Sequence, residues 1–195
     1  MRKQQPEIFA AVLAAGRASR FGATKQLVEV HGAPLVTRAV SVAAEACDDR
    51  VITVIGHDWQ EVVQAMHSSA GFLVMNEDYR TGLGSSIAAA ARACNECADA
   101  VLLVFADQPL VTVHHLRTLI ERWSGSDSEI VATAYRGTQG PPVLFPRATF
   151  DALCDLAGDT GARALFRDSR FTLQSVEFDD AAIDIDTQAD LAALL

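Results

Sequence analysis

Short apolar runs alternate with longer amphipathic segments along the whole chain. The apolar runs are rich in β-branched and aliphatic residues and predict buried strands at 8–14, 51–55, 72–75, 101–105, 130–135 and 172–178. The segments between them have helical spacing and lie at 34–46, 58–69, 84–97, 111–123, 147–156, 160–168 and 187–195. Strands that alternate with helices usually form a parallel sheet covered on both faces. The pattern therefore predicts a three-layer α/β sandwich with a mainly parallel central sheet.

Length and charge narrow the class of protein. The 195 residues, half of them hydrophobic, suit one globular domain (1–195) with a sizeable core. A net charge of −9 argues against a general nucleic-acid-binding protein, which would carry a basic surface. The sequence has no apolar run near the roughly 20 residues that a membrane-spanning helix needs. The first apolar run ends in Gly16 and Arg17, so it is interpreted as a strand and not as a signal peptide, and a cytoplasmic protein is expected.

The four cysteines are Cys47, Cys94, Cys97 and Cys154. They are expected to be free thiols, because a protein without an export signal stays in a reducing compartment. Cys94 and Cys97 have CxxC spacing, but no second pair and no histidine cluster accompanies them. Packing or surface thiols are therefore favoured over a metal or redox site at this position.

The loop after the first predicted strand has the composition of a polyphosphate-binding loop. Gly16 and Gly22 allow tight turns and close approach of backbone N–H groups to phosphate oxygens, while Arg20 and Lys25 supply positive charge. It is not a P-loop, because Ala-Thr-Lys follows Gly22, and it is not the dinucleotide fingerprint, because position 18 is Ala. The alternative is an ordinary glycine-containing turn with two solvated cations.

Acidic residues follow two further apolar segments. Asp107 comes directly after the strongest predicted strand, where a carboxylate can hold Mg²⁺ together with substrate phosphates. The alternative is that it caps a helix beginning near Val111. Asp184 and Asp186 alternate with isoleucines, which predicts a short strand with both carboxylates on one face. Here the alternative is that Asp186 or Thr187 merely caps the last helix.

The segment Gly82-Leu-Gly-Ser-Ser86 opens an alanine-rich helical stretch. Small residues and free N–H groups at a helix start suit the close approach of a ribose or base. An ordinary serine N-cap would equally explain Ser85 or Ser86.

Four ordered motifs carry a resemblance that spans the whole chain. Leu13-Ala-Ala-Gly-x-Ala-Ser-Arg-Phe-Gly-x-x-Lys25 resembles the opening motif of nucleotidyltransferases with the nucleotide-diphospho-sugar transferase fold, a Rossmann-like sandwich. Gly82 to Ser86, Ala106-Asp-Gln-Pro109 and Asp184-Ile-Asp-Thr187 match the same family in the same order. Within that family the chain is most similar to the molybdenum cofactor cytidylyltransferase group.

The resemblance implies a Mg²⁺-dependent enzyme that transfers CMP from CTP to the phosphate of molybdopterin and releases pyrophosphate. It implies metal ligation by Asp107 and Asp186, with Asp186 preferred over Asp184, and a catalytic set of Arg20, Lys25 and Asp107. The implied nucleotide-binding residues are Ala14, Ala15, Gly16, Arg20, Lys25, Gly56, Gly82, Gly84, Ser85 and Ser86.

The acceptor and the base are less well specified than the family. In the acceptor region the group often shows Gly-His-Pro, whereas this chain has Gly140-Pro141-Pro142 within a Gly/Pro-rich segment (137–142) interpreted as a loop bordering the acceptor. The alternatives are a guanylyltransferase for the same cofactor, a sugar- or alditol-phosphate nucleotidyltransferase, and a non-catalytic chaperone for molybdoenzyme maturation. Ala-Ala-Gly16 favours cytidine, since the guanylyl enzymes tend to carry Ala-Gly-Gly. A client molybdoenzyme is a further candidate partner, whereas no nucleic acid or membrane partner is expected.

Overall fold

The computed structural model describes residues 6–17, 21–66 and 71–194. Its strands are β1 (Ile8–Leu13), β2 (Glu29–Val30), β3 (Ala33–Pro34), β4 (Val51–Ile55), β5 (Phe72–Met75), β6 (Ala100–Phe105), β7 (Glu129–Tyr135), β8 (Thr138–Pro146) and β9 (Thr172–Glu177). Seven of them form one sheet in the order β5-β4-β1-β6-β8-β7-β9, and β2 pairs with β3 in a small antiparallel hairpin. Within the large sheet, β8 alone runs antiparallel to its neighbours. The predicted mainly parallel sheet is confirmed.

The α-helices are α1 (Leu35–Ala46), α2 (Trp59–Met66), α3 (Leu83–Cys94), α4 (Val113–Arg122), α5 (Phe150–Cys154) and α6 (Gln188–Leu194). Five 3₁₀ segments add short turns at Lys25–Leu27, Tyr79–Thr81, Arg147–Thr149, Ala162–Arg167 and Asp179–Ala182. The predicted helix at 160–168 is therefore a 3₁₀ segment, and the one at 147–156 is a 3₁₀ turn followed by the short α5.

Two apolar cores lie on opposite faces of the sheet, which makes the molecule a three-layer sandwich. On one face, α1, α2 and α4 pack Val40, Met66 and Leu119 against the even-numbered side chains of β1 and β6. On the other face, α3, α5 and the 3₁₀ segment Ala162–Arg167 pack against the odd-numbered ones, with Ile87 and Leu153 fully or almost fully buried. Because both faces of the central strands are covered, these strands are apolar throughout, as the sequence pattern indicated.

The interpretation of 137–142 as a loop is wrong, because this segment begins strand β8. Arg136 and Gly137 form a two-residue hairpin turn with φ angles of 49° and 74°, the positive values that tight hairpin connections need. Further along, the ladder between β7 and β8 shifts register between Ala132 and Thr133, so that Thr133 pairs with Gly140 while Ala132 pairs with Val143. Pro141 and Pro142 occupy the resulting bulge, where a proline costs no ladder hydrogen bond.

The short strand predicted around 184–186 is also wrong. Residues 183–187 follow the 3₁₀ segment Asp179–Ala182 and belong to no strand. Their backbone is held by single contacts, such as the bond from the Ile185 N–H to the Asp107 carbonyl oxygen (3.0 Å). Alternating isoleucine and aspartate therefore reflects one buried side chain, Ile185, and not a pleated ladder. Across the described parts of the chain, every helix is too short or too polar to cross a bilayer.

Candidate active site

The site lies at the carboxyl ends of β1 and β6, where ligands of parallel sheets gather. The loop that leaves β1 is fixed by Gln26, a buried residue whose Nε2 donates to the carbonyl oxygens of Ala14 (3.0 Å) and Gly16 (2.7 Å). These bonds tie the backbone on both sides of Ala15 to Gln26 and hold the glycine turn in place. The sequence motif did not single out Gln26, although it stands directly beside Lys25.

Lys25 joins two carboxylates that are far apart in sequence. Its Nζ donates to Asp107 Oδ2 (2.7 Å) and to Asp186 Oδ1 (2.9 Å). The lysine side chain is only 12% exposed, against 26% and 34% for the two aspartates. Burial lowers the pKa of Lys25, but the two adjacent carboxylates outweigh this effect and raise it, so the lysine stays charged.

Helix capping does not account for the positions of Asp107 and Asp186. The residue that caps α4 is Thr112, which accepts from the His115 N–H, so Asp107 lies well before that helix. At α6 the cap is formed by Thr187 and Asp190, since the Asp190 carboxylate accepts from the Thr187 N–H (2.7 Å) and the Thr187 hydroxyl accepts in return. The Asp107 and Asp186 side chains instead converge on Lys25.

The two carboxylates fit a divalent cation. Asp107 Oδ1 is buried and has no hydrogen-bond partner among the described residues, so it keeps an oxygen available for a ligand. Burial raises the pKa of Asp184, with further increases from Asp107 and Asp186, which shows how much negative charge is concentrated here. In the described ranges no three His, Cys, Asp or Glu side chains surround one point. This pair of carboxylates is typical of Mg²⁺, which is commonly held by one or two carboxylates plus substrate phosphates.

A cavity of about 390 Å³ opens beside this cluster. Six of the residues predicted from sequence line it: Ala15, Gly16, Lys25, Gly82, Ser86 and Asp107. Tyr79, which the motifs did not include, also lines it, and its ring stacks on His57 with centroids 5.8 Å apart. Arg20 lies outside the described residues.

Gly56, Gly84 and Ser85, three other predicted nucleotide-binding residues, do not line the cavity but contact or lie within the segments that do. A Cβ at Gly56 would lie 3.0 Å from the Ala15 carbonyl oxygen, so this glycine allows β4 to approach the loop after β1. Gly84 contacts the backbone of Ala157 and donates its N–H to the Gly158 carbonyl oxygen (2.8 Å). The Ser85 hydroxyl donates to the Gly82 carbonyl oxygen (2.9 Å), one turn back along α3.

The family follows from comparison with known proteins. Residues 10–176 match the MobA-like NTP transferase domain. The chain belongs to this family. It is therefore a nucleotidyltransferase-type protein.

Curated relatives and solved structures agree with the family. The chain is 27% identical over 172 residues to the purine catabolism protein PucB of Bacillus subtilis. This alignment covers 84% of the chain and 82% of PucB. It is 29% identical over 113 residues to the bifunctional protein GlmU of Geobacter sulfurreducens. This alignment covers 57% of the chain but only 24% of GlmU. The crystal structure of Rv0371c from Mycobacterium tuberculosis superposes with a TM-score of 0.86 at 30% identity and covers 98% of each chain. A second structure of Rv0371c, with a TM-score of 0.81, is a complex with manganese.

Proposed function

We propose that this MobA-like transferase is a Mg²⁺-dependent cytidylyltransferase that transfers CMP from CTP to the terminal phosphate of molybdopterin. The observation that carries the proposal is the convergence of Asp107 and Asp186 on Lys25, at the edge of a cavity lined by the glycine loop. Ala14-Ala15-Gly16 supports cytidine as the base, and the manganese complex of Rv0371c supports a divalent cation.

The reaction needs positioning and charge neutralisation more than a strong base. An oxygen of the acceptor phosphate attacks the α-phosphorus of the triphosphate, the bond from that phosphorus to the β-bridging oxygen breaks, and pyrophosphate leaves with the electron pair. The second pKa of a phosphate monoester is about 6, so the attacking oxygen is already ionised at neutral pH. The protein therefore contributes an electrostatic environment that favours the developing charge.

Each site residue has a distinct part in this mechanism. Asp107 and Asp186 would hold the cation, which when bound neutralises phosphate charge during the transfer. Lys25 and the backbone N–H groups around Gly16 would bind the triphosphate and stabilise the departing pyrophosphate. Arg20 is assigned to the same task from its place in the loop motif. We further propose that the chain is one nucleotidyltransferase domain that acts in the cytoplasm.

Pyrophosphate release tests the proposal directly. The protein is incubated with Mg²⁺ and each of the four nucleoside triphosphates, with and without molybdopterin, and release with CTP only when molybdopterin is present is expected. Release with GTP would establish the guanylyl enzyme instead. Release with sugar phosphates alone would establish a sugar-phosphate nucleotidyltransferase, and no release with any nucleotide would support a binding protein.

A matched pair of variants tests the role of the carboxylate. Asp107→Asn should lower turnover about a hundredfold or more, because it removes one electrostatic partner of the reacting phosphates. Asp127→Asn is the control, since Asp127 is exposed and lies just before β7, at the opposite end of the sheet. Equal turnover in the two variants would contradict the assigned role of Asp107.

A further inference from the structure

A second pocket of about 290 Å³ adjoins the nucleotide cavity. The two share Leu83 and Phe105 as a common wall. From this wall the second pocket extends between α3, β6, β8 and the 3₁₀ segment Ala162–Arg167. Most of its surface is apolar and includes Ile87, Leu103, Val143, Phe145 and Phe166. The rings of Phe145 and Phe166 are nearly parallel, with centroids 6.2 Å apart.

The mouth of this second pocket lies at the same end of the sheet as Asp107. Leu103 of β6 pairs with Val143 of the antiparallel β8, so Pro141 lies level with Phe105, two residues further along. Gln108 confirms this placement, because its Nε2 donates to the Pro141 carbonyl oxygen (3.2 Å). A molecule in the second pocket would therefore reach the carboxylate cluster from the side opposite the glycine loop.

Arg163 supplies a cation at this mouth. Its guanidinium forms a hydrogen bond with the Tyr135 hydroxyl. Arg163 Nη2 would lie 3.2 Å from a Cβ at Gly140, and the Tyr135 hydroxyl would overlap that atom, so both groups are aimed at the backbone of Gly140. Within the described ranges Arg163 forms no ion pair with a carboxylate. A guanidinium with several N–H donors remaining is well suited to a phosphate.

We propose that the second pocket binds the ring system of the acceptor, and that Arg163, held in place by the Tyr135 hydroxyl, binds the acceptor phosphate and presents it toward Asp107. This inference rests on the proposed nucleotidyl transfer. It defines the acceptor class as a phosphomonoester of a flat heterocycle. Flat rings pack favourably against the faces of Phe105, Phe145 and Phe166. A sugar phosphate would place most of its hydroxyl groups against apolar side chains, since Asp159 and Arg163 are the charged residues of the lining.

Binding of small probes tests the pocket without any turnover. The probes are pyridoxine 5′-phosphate, which carries a flat ring and a phosphate, pyridoxine, which carries the ring alone, and glycerol 3-phosphate, which carries the phosphate alone. The fluorescence of the pyridine ring reports binding of the first two, and glycerol 3-phosphate is measured by competition. The wild-type protein should bind pyridoxine 5′-phosphate at least about tenfold more tightly than either half, because both subsites are filled.

The variants separate the phosphate contact from a general effect on the fold. Arg163→Met should weaken binding of pyridoxine 5′-phosphate about tenfold or more and leave pyridoxine unchanged, because hydrogen bonds to a charged group are lost. Arg163→Lys should fall between, since it keeps the charge but loses the planar fork. Arg167→Met is the control, because Arg167 is an exposed arginine on the same 3₁₀ segment outside the pocket lining. An unchanged affinity in Arg163→Met, equal losses for both ring probes, or no preference in the wild type would each overturn the proposal.

Kinetics distinguish this inference from the proposed function. In the transferase assay, Arg163→Met should raise the KM for the acceptor about tenfold while CTP affinity stays at the wild-type value. Turnover with molybdopterin and an unchanged acceptor KM in Arg163→Met would overturn the pocket assignment and keep the transferase. Probe binding that depends on Arg163, without any pyrophosphate release, would overturn the cytidylyltransferase and keep the pocket.

Discussion

The buried imidazole of His115 should make the stability of the fold depend on pH in the acid range. His115 is 3% exposed, its Nε2 lies 2.8 Å from Thr133 Oγ1, and its ring stacks on Phe178 with centroids 4.3 Å apart. The Thr133 hydroxyl donates to the Pro142 carbonyl oxygen (2.7 Å) and so must accept from His115, which places the proton of the neutral ring on Nε2. Burial, with a smaller contribution from His114, lowers the pKa of His115 to about 4.

The sign and size of the effect follow from the folded and unfolded pKa values. The unfolded chain binds a proton at this histidine near pH 6.5, whereas the folded protein binds it only near pH 4. Between these values the unfolded state holds the extra proton, so the free energy of unfolding falls as the pH falls. At about 1.4 kcal/mol per pKa unit, the contribution is about 3 kcal/mol, fully present above pH 6.5 and lost by about pH 4.

His115→Gln removes this titration and keeps an N–H donor for Thr133. Urea denaturation followed by circular dichroism, at intervals from about pH 7 to about pH 4, gives the free energy of unfolding. Over that range the free energy of unfolding of the variant should fall by about 3 kcal/mol less than that of the wild type. The titration of carboxylates is common to both proteins and cancels in the comparison. His114→Gln alters the exposed neighbour, whose contribution to the pKa of His115 is the smaller one, and should stay close to the wild-type curve. Parallel curves for wild type and His115→Gln would refute the assignment.

Two further variants test the site and its support. Without nucleotide, Lys25→Met should bind Mn²⁺ about tenfold or more tightly than the wild type, because the lysine ammonium competes with the cation for Asp107 and Asp186. Electron paramagnetic resonance measures the Mn²⁺ affinity. Weaker binding by the variant would contradict this competition. Gly84→Ala should lower the free energy of unfolding by about 1–3 kcal/mol in urea, because its Cβ would lie 2.8 Å from the Ala157 backbone nitrogen. Gly16→Ala is its control, since a Cβ there has open space, and equal losses would contradict the packing argument.

The parts of the fold that were predicted correctly depend on local patterns. Strands such as Ile8–Leu13 and Ala100–Phe105 are continuous apolar runs because both faces of the sheet are covered. Strand β8 was missed because its first half contains Gly140, Pro141 and Pro142, residues that strands normally avoid. Their position becomes favourable only through the bulge opposite Ala132 and Thr133, which no local pattern reveals.

The candidate site divides in the same way. Lys25 and Asp107 stand in recognisable motifs at strand ends, and the structure brings them into contact. Gln26 and Tyr79 of this site were missed, as was Arg163 of the proposed acceptor pocket, because their positions arise from packing between segments that are distant in sequence. The one sequence signal for Gln26 was its place directly beside the loop lysine, since its bonds to the Ala14 and Gly16 carbonyl oxygens are seen only in the fold.

The residues that line the two adjoining pockets come largely from different parts of the sequence. All residues that line the first cavity lie at or before Asp107 in the sequence. Most of the residues that line the second pocket lie at or after Pro141. Leu83 and Phe105 alone are common to both. On the proposed assignment of the second pocket to the acceptor, mutations between Pro141 and Phe166 would change the acceptor after gene duplication, while the lining of the first cavity and Asp186 would be inherited unchanged. For protein engineers, grafting β8 and the 3₁₀ segment Ala162–Arg167 between family members would show whether acceptor choice moves with these segments.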